Sequence, residues 1–190
     1  MIPSQELIES LQGSDDRAEA ALALFLQRQS AALEILLDLA SHPDPDLRWW
    51  AVRGLSTIQD PLASSALAAA LKDPDPAVRQ CAGLALRDHP QPDVVPALAR
   101  ALSDPDRLVA RLASGALASI GSLALPSLTE AARSPETAVR IEAIRALATM
   151  NDKETIPLLF EALEDSSTLV AYWAEQGLER LGVGMVFFPS

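Results

Sequence analysis

The apolar positions of this chain follow a helical spacing over short distances and a fixed repeat over long ones. Val78, Ala82, Ala85, Leu86 and His89 stand three and four residues apart, the spacing that lays one buried stripe along a helix. In the other copies Ile58, Ile120, Met150 and Leu181 stand where His89 does, and His89, just before Pro90, is expected to end its helix. The arrangement returns about every 31 residues, within the range of stacked helical repeats. Its strong copies open at residues 44–51, 75–82, 106–113, 136–143 and 167–174, and each runs on into Leu55, Leu86, Leu117, Leu147 and Leu178. A weaker copy, from Asp15, Asp16 and Arg17 through Ala20 to Leu24, precedes them by one more period.

Each copy predicts an A helix with a physical start. Asp44, Asp75, Asp106 and Ser167 sit where a side-chain oxygen can accept the first unpaired amide protons, and Pro45 and Pro76 follow at the first helical position, where a missing amide costs nothing. A second apolar set predicts a B helix in each copy: Leu67 and Leu71, Leu98 and Leu102, Leu128 and Ala132, Leu159 and Leu163. Pro96, Pro126 and Pro157 fall in the first turns of these helices. One residue is missing between Leu117 and Pro126, which puts a deletion in an inter-helix turn.

The predicted fold is all-α, an α-solenoid of about five helix pairs in which each repeat packs on its neighbours. It is expected as a single domain, residues 1–190. A capping helix near Ser4 to Leu11 lies within residues 1–13, repeats occupy 14–181, and a closing helix runs from about Ser167 to Leu181. The tail 182–190, with Met185, Val186, Phe187 and Phe188, is expected to cover the end of the core.

Composition sharpens this picture. With 49% apolar and 22% charged residues the chain can bury a core, and with aromatics at 4% that core must be Ala and Leu, which suits closely approaching helices. Fifteen Lys and Arg against 26 Asp and Glu leave a net charge of −11, which repels phosphate backbones and anionic membranes. Nucleic acid and membrane insertion are therefore not expected. The single cysteine, Cys81, rules out an intrachain disulfide and any multi-cysteine metal site; it reads as a buried, inert thiol. The start of the sequence has no basic, apolar leader, and the uncharged stretch Leu112 to Thr129 is interrupted by Gly121 and Pro126, so cytoplasmic residence is expected.

The segment from Asp73 to Leu86, reading Asp-Pro-Asp-Pro-Ala-Val-Arg and then Ala82, Ala85 and Leu86, resembles the HEAT-like repeat of the phycobilisome-lyase type. The resemblance covers roughly residues 14 to 181 and implies a helical-repeat fold. The same unit serves scaffolds, chaperones, bilin lyase subunits and metal-dependent hydroxylases, so it implies fold more strongly than function. A hydroxylase of this type needs several His-Glu pairs to hold iron, whereas His42 and His89 are each followed by proline. A DNA glycosylase of this type needs a basic groove, which the acidic balance argues against.

Two sets of candidate contacts remain. Trp49 and Tyr172 occupy matched slots in the first and last strong copies, beside Trp50 and Trp173; the latter read as fillers of wide core gaps, the former as contact residues or as further filling. If the array follows the HEAT pattern, the B helices line the concave side. Its variable positions, Ser64, Ala68, Asp93, Ala99, Arg100, Thr129, Glu130, Phe160 and Glu161, are then the binding face, or an ordinary solvated one. Arg48, Arg79 and Arg140 follow Asp44, Asp75 and Glu136 by four residues, the spacing of an exposed ion pair within a helix. They are expected to tie helix starts to inter-repeat turns. No catalytic constellation, phosphate loop or metal-ligand cluster emerges, and no cofactor is expected. The chain reads as a non-catalytic protein-binding scaffold, adaptor or assembly factor with a basic or amphipathic partner. The alternative, from the resemblance alone, is a bilin lyase or phycobiliprotein chaperone subunit.

Overall fold

The computed structural model describes residues 4–26 and 29–183. The expected cover by Met185, Val186, Phe187 and Phe188 lies outside the described residues. The described chain is all-α and falls into two compact units, Met1–His89 and Pro90–Ser190. Unit 1 holds α1 (Ser4–Leu11), α2 (Asp15–Leu26), α3 (Gln29–Leu39), α4 (Pro45–Leu55), α5 (Pro61–Ala70) and α6 (Pro76–Asp88). Unit 2 holds α7 (Val95–Ala101), α8 (Arg107–Ile120), α9 (Leu125–Ala132), α10 (Thr137–Thr149), α11 (Ile156–Ala162) and α12 (Thr168–Arg180). Short 3-10 turns, Pro92–Val94, Gly121–Ala124 and Lys153–Thr155, lead into α7, α9 and α11.

The A helices are α4, α6, α8, α10 and α12, and all but α10, for which no cap is predicted, start where the caps predict. Asp44, Asp75 and Asp106 accept the amide protons of Asp46, Ala77 and Leu108 at 3.0, 2.8 and 2.8 Å. Ser167 holds the N-cap position of α12, but its hydroxyl makes no cap hydrogen bond; the help comes one step earlier, where Asp165 accepts the Ser167 amide at 2.8 Å. That step is common to the A-helix starts. Asp73 accepts from the Asp75 amide, Asp104 from Asp106, Ser134 from Glu136 and His42 from Asp44. The residue two before each cap thus fixes the turn before the helix begins.

The stripe packs as its spacing requires, with one exception. Val78, Ala82, Ala85 and Leu86 are buried, but α6 ends at Asp88 and His89 is an exposed C-cap, because the prolines that follow deny it another turn. In unit 1 Leu36, Leu47, Val52, Leu55 and Leu86 form the best buried core, with α4 between α3, α5 and α6. In unit 2 Leu98, Leu117, Leu128, Ile144, Leu147 and Leu159 do so, with α10 packed on α8, α9, α11 and α12. The apolar stretch Arg107–Ala132 is no continuous rod: α8 stops at Gly121, whose φ of 78° suits glycine, and the chain folds back into α9. This is the turn that absorbs the missing residue.

Two glycines permit close helix approach. A Cβ on Gly177 of α12 would lie 2.8 Å from the Cα of Ala148 on α10. For one on Gly54 of α4 the nearest atoms are leucine methyl groups, Leu36 at 2.9 Å and Leu22 at 3.0 Å.

Candidate functional site

The arginine row does not do what its spacing suggests. Arg48 leaves Asp44 alone and reaches 25 residues ahead, where its Nε and Nη2 donate to the two carboxylate oxygens of Asp73 at 2.7 and 2.8 Å. Its Nη1 donates to the carbonyls of His42 and Pro43. Arg140 repeats the arrangement three repeats on: Nε and Nη2 donate to Asp165 at 2.7 and 3.0 Å, and Nη1 to the carbonyls of Ser134 and Pro135. Arg79 likewise donates to the carbonyls of Asp73 and Pro74. The arginine is therefore a clamp that closes its own turn and grips the aspartate of the next repeat.

This corrects the exposed intrahelical pairing. The side chains are only 11% and 8% exposed for Arg48 and Asp73, and 14% and 15% for Arg140 and Asp165. Arginine's planar fork matches a carboxylate with two parallel bonds, a geometry lysine cannot supply. Burial works to raise the Asp73 carboxyl, but the Arg48 guanidinium and the Asp75 amide outweigh it and hold it below its ordinary 3.8. The Arg140 hydrogen bond holds Asp165 down in the same way. Where Ala110 replaces the arginine, Ser134 replaces the aspartate, so clamp and target are lost together.

The two aromatic pairs differ in burial. Trp50 is buried, 8% exposed, while Trp49 is half-buried against it, edge to face at 4.9 Å. Tyr172 is 49% exposed, and Trp173 is half-buried with Arg145 5.0 Å from its ring centre. The Trp173 indole nitrogen is buried and has no hydrogen-bond partner among the described residues. The slot filled by Trp50, Cys81, Leu112 and Trp173 is taken on α10 by Glu142, which the apolar pattern does not announce. Glu142 is half-buried and accepts from Arg145 Nη1 at 2.8 Å; burial pushes its carboxyl up, against the pull of Arg145 and Arg111. Cys81 is half-buried, with its thiol pushed up to about 11 by burial, in keeping with an inert role.

The B-helix candidates fall into both units. Ser64 and Ala68, half-buried on α5, belong to unit 1. The others belong to unit 2: exposed Asp93 on the 3-10 turn, Ala99 and exposed Arg100 on α7, Thr129 and exposed Glu130 on α9, and exposed Phe160 and Glu161 on α11. Ala99, Arg100 and Glu130 line one open groove of about 600 Å³. Glu161 lines a smaller one of about 230 Å³ between α9 and α11. Asp93, Thr129 and Phe160 line neither; the Thr129 hydroxyl is turned to the Leu125 carbonyl at 2.8 Å. Arg133, which the apolar pattern passes over, lines both grooves and pairs with Glu161 at 2.9 Å. Its sequence signal is a change at one repeat slot, Lys72, Ser103, Arg133 and Glu164. Among the described residues no group of three His, Cys, Asp or Glu side chains is placed to hold a metal ion.

Comparison with known families decides what these repeats are. The HEAT repeat model matches three overlapping stretches, residues 4–87, 64–137 and 125–183. The chain belongs to the HEAT repeat family. Comparison with curated proteins finds no match. Among solved structures, the HEAT chain is similar to an archaeal HEAT-like repeats protein from Thermococcus onnurineus NA1, at TM-score 0.65 and 18% identity over 100% of this chain and 84% of that one. It is similar to a designed armadillo repeat protein in complex with the peptide (KR)4, at TM-score 0.54 and 17% identity over 94% and 99%. It is also similar to the CpcE and CpcF complex of phycocyanin lyase from Nostoc sp. PCC7120, at TM-score 0.54 and 22% identity over 96% and 78%. At these identities the likeness establishes the fold, an all-α repeat solenoid.

Proposed function

We propose that this HEAT-repeat chain is a non-catalytic protein-binding adaptor or assembly factor that holds its partner on the B-helix face of unit 2. The observation that carries the reading is the row Arg100, Glu130, Arg133 and Glu161 along successive B helices, with the open groove of about 600 Å³ beside it. Mixed charges over small residues such as Ala99 and Ser103 suit a helix or a protein edge laid into a groove; a small-molecule cage needs convergent polar groups in an enclosed site. The net charge of −11 favours encounter with a basic or amphipathic partner by electrostatic steering. The designed armadillo protein, of the same solenoid class, is in complex with the peptide (KR)4.

The test is reversal of the row, with Arg100→Glu, Glu130→Arg and Glu161→Arg combined. A partner retained stoichiometrically by the wild-type chain is expected to be lost, with the melting temperature unchanged because all three side chains are exposed. Undiminished retention removes the B-helix face as the site. The alternative reading, a bilin lyase or phycobiliprotein chaperone subunit, is supported by the repeat resemblance and the likeness to the lyase complex. It predicts that added bilin shifts and sharpens its visible band and that apo-phycobiliprotein gains covalent colour; a colourless mixture refutes it.

A further inference from the structure

Unit 1 carries a groove that the B-helix reading does not use. It is open, has a volume of about 800 Å³, and runs between the α1–α2 corner and the starts of α4 and α6. Its floor is apolar, built from buried Leu11, Trp50 and Val78. The half-buried Trp49 adds an aromatic wall, set edge to face against Trp50 at 4.9 Å with the planes at 88°. Among the described residues that line it, five carboxylates, those of Asp15, Glu19, Asp44, Asp46 and Asp75, face a single cation, Arg53.

That cation reports what the wall accepts. The Arg53 guanidinium carbon lies 5.5 Å from the Trp49 ring centre and 5.8 Å from that of Trp50, within cation–π range of both. Its partner Glu19 is 62% exposed and Arg53 itself 44%, so the pair is solvated, weak and easily exchanged. Asp44 and Asp75 are committed to capping α4 and α6, which leaves Asp15, Glu19 and Asp46 as exposed acceptors on the rim. With five carboxylates to one arginine among the described lining residues, an anionic occupant is repelled here and a cationic one meets matching acceptors.

We propose that this groove docks a basic, extended segment of a partner protein, seating arginine or lysine side chains between the Trp49 wall and the carboxylate rim. The proposal rests on charge complementarity and aromatic geometry within unit 1 and does not depend on the B-helix face; the two involve different residues and fail separately.

The experiment uses the full chain and a fluorescein-labelled peptide alternating arginine and glycine, with a citrulline-for-arginine peptide as its neutral counterpart, read by anisotropy at physiological salt. The arginine peptide is expected to bind at least about tenfold more tightly than the citrulline one, since the match is to charge. Combining Asp15→Asn, Glu19→Gln and Asp46→Asn should weaken binding roughly tenfold, and Trp49→Leu about threefold. The same charge change made on unit 2 away from the B-helix face, with Glu154→Gln, Glu175→Gln and Glu179→Gln, all exposed, should leave affinity within about twofold. Equal losses in the two triple variants would mean unspecific attraction to an acidic protein and overturn the proposal, as would an unchanged affinity in the groove triple or no binding of the arginine peptide. Photo-crosslinking of the peptide to the wild-type chain gives a check free of folding effects: adducts on α2 and α4 support the groove, and adducts confined to unit 2 refute it.

Discussion

Removing one clamp arginine is the sharpest perturbation of the repeat's internal bonding. Arg140→Ala deletes two charged hydrogen bonds to Asp165, at 2.7 and 3.0 Å, and the Nη1 donation to Ser134 and Pro135 carbonyls. It leaves a carboxylate only 15% exposed, with the Ser167 amide as its remaining partner at 2.8 Å. Breaking a fully buried ion pair costs about 3–5 kcal/mol, and exposed pairs cost about 0.2–1 kcal/mol. At one-seventh exposure this site lies nearer the buried end, at about 2–3 kcal/mol, or roughly a 5–10 °C fall in melting temperature for a chain of this size. Arg140→Lys should recover only part of this, because an ammonium cannot make both parallel bonds. Arg133→Ala is the internal contrast: its pair with Glu161 has the same chemistry but is 60% and 58% exposed, so no measurable change is expected. The assay is thermal and urea unfolding of all three variants, with a double-mutant cycle through Asp165→Ala. The cycle should return a coupling of about 1 kcal/mol or more. If Arg140→Ala melts within a degree of wild type, or if the two changes simply add, the clamp is not a stabilising element.

Other expectations follow from the same geometry. Asp73 and Asp165 titrate below their ordinary 3.8 when folded, so their contribution is complete above that value and is lost as pH falls through the lower folded values; the stability gap between wild type and Arg140→Ala, followed by urea unfolding, should close on the acid side and hold constant towards neutrality. Gly177→Ala drives a methyl group to 2.8 Å from the Ala148 Cα and should destabilise by about 1–2 kcal/mol after the gain in helix propensity, while Gly54→Ala meets movable leucine methyls and should stay within about 0.5 kcal/mol in chemical denaturation. With its thiol raised to about 11, Cys81 should react with iodoacetamide at pH 7.5 at least about a hundredfold more slowly than a free cysteine, and a rate near the free value would mean the site opens readily.

Much of this fold is legible in the chain because it is local. A cap such as Asp75 acts on Ala77, and Pro76 acts on its own φ, so position alone announces both. The clamp is legible in part: the tie between helix start and inter-repeat turn is expected from the sequence, but its carboxylate partner is not. Arg48 has a suitable acid four residues back, so the local reading looks complete, yet its partner Asp73 comes from the next turn and is recognised only by asking which residues vary together, as Ala110 and Ser134 do. Glu142 escapes for the opposite reason: periodicity marks its slot as apolar, and only the packed structure shows Arg145 beside it. The candidate contact surface is the least legible part. Exposure of Arg100, Glu130 and Glu161 follows from helix phase, but the joining role of Arg133 depends on how α7, α9 and α11 lie side by side.

The central claim is that the B-helix face of unit 2 is where this chain meets its partner. Its most direct test places a photo-crosslinking amino acid at Ala99 or Phe160 on that face, and at Arg107 on the A helix α8, in the full chain in its native extract. The account predicts one defined adduct from positions 99 and 160, absent from position 107 and abolished by the combined reversal of Arg100, Glu130 and Glu161. An adduct formed from position 107 instead, or one that survives the reversal, would contradict it.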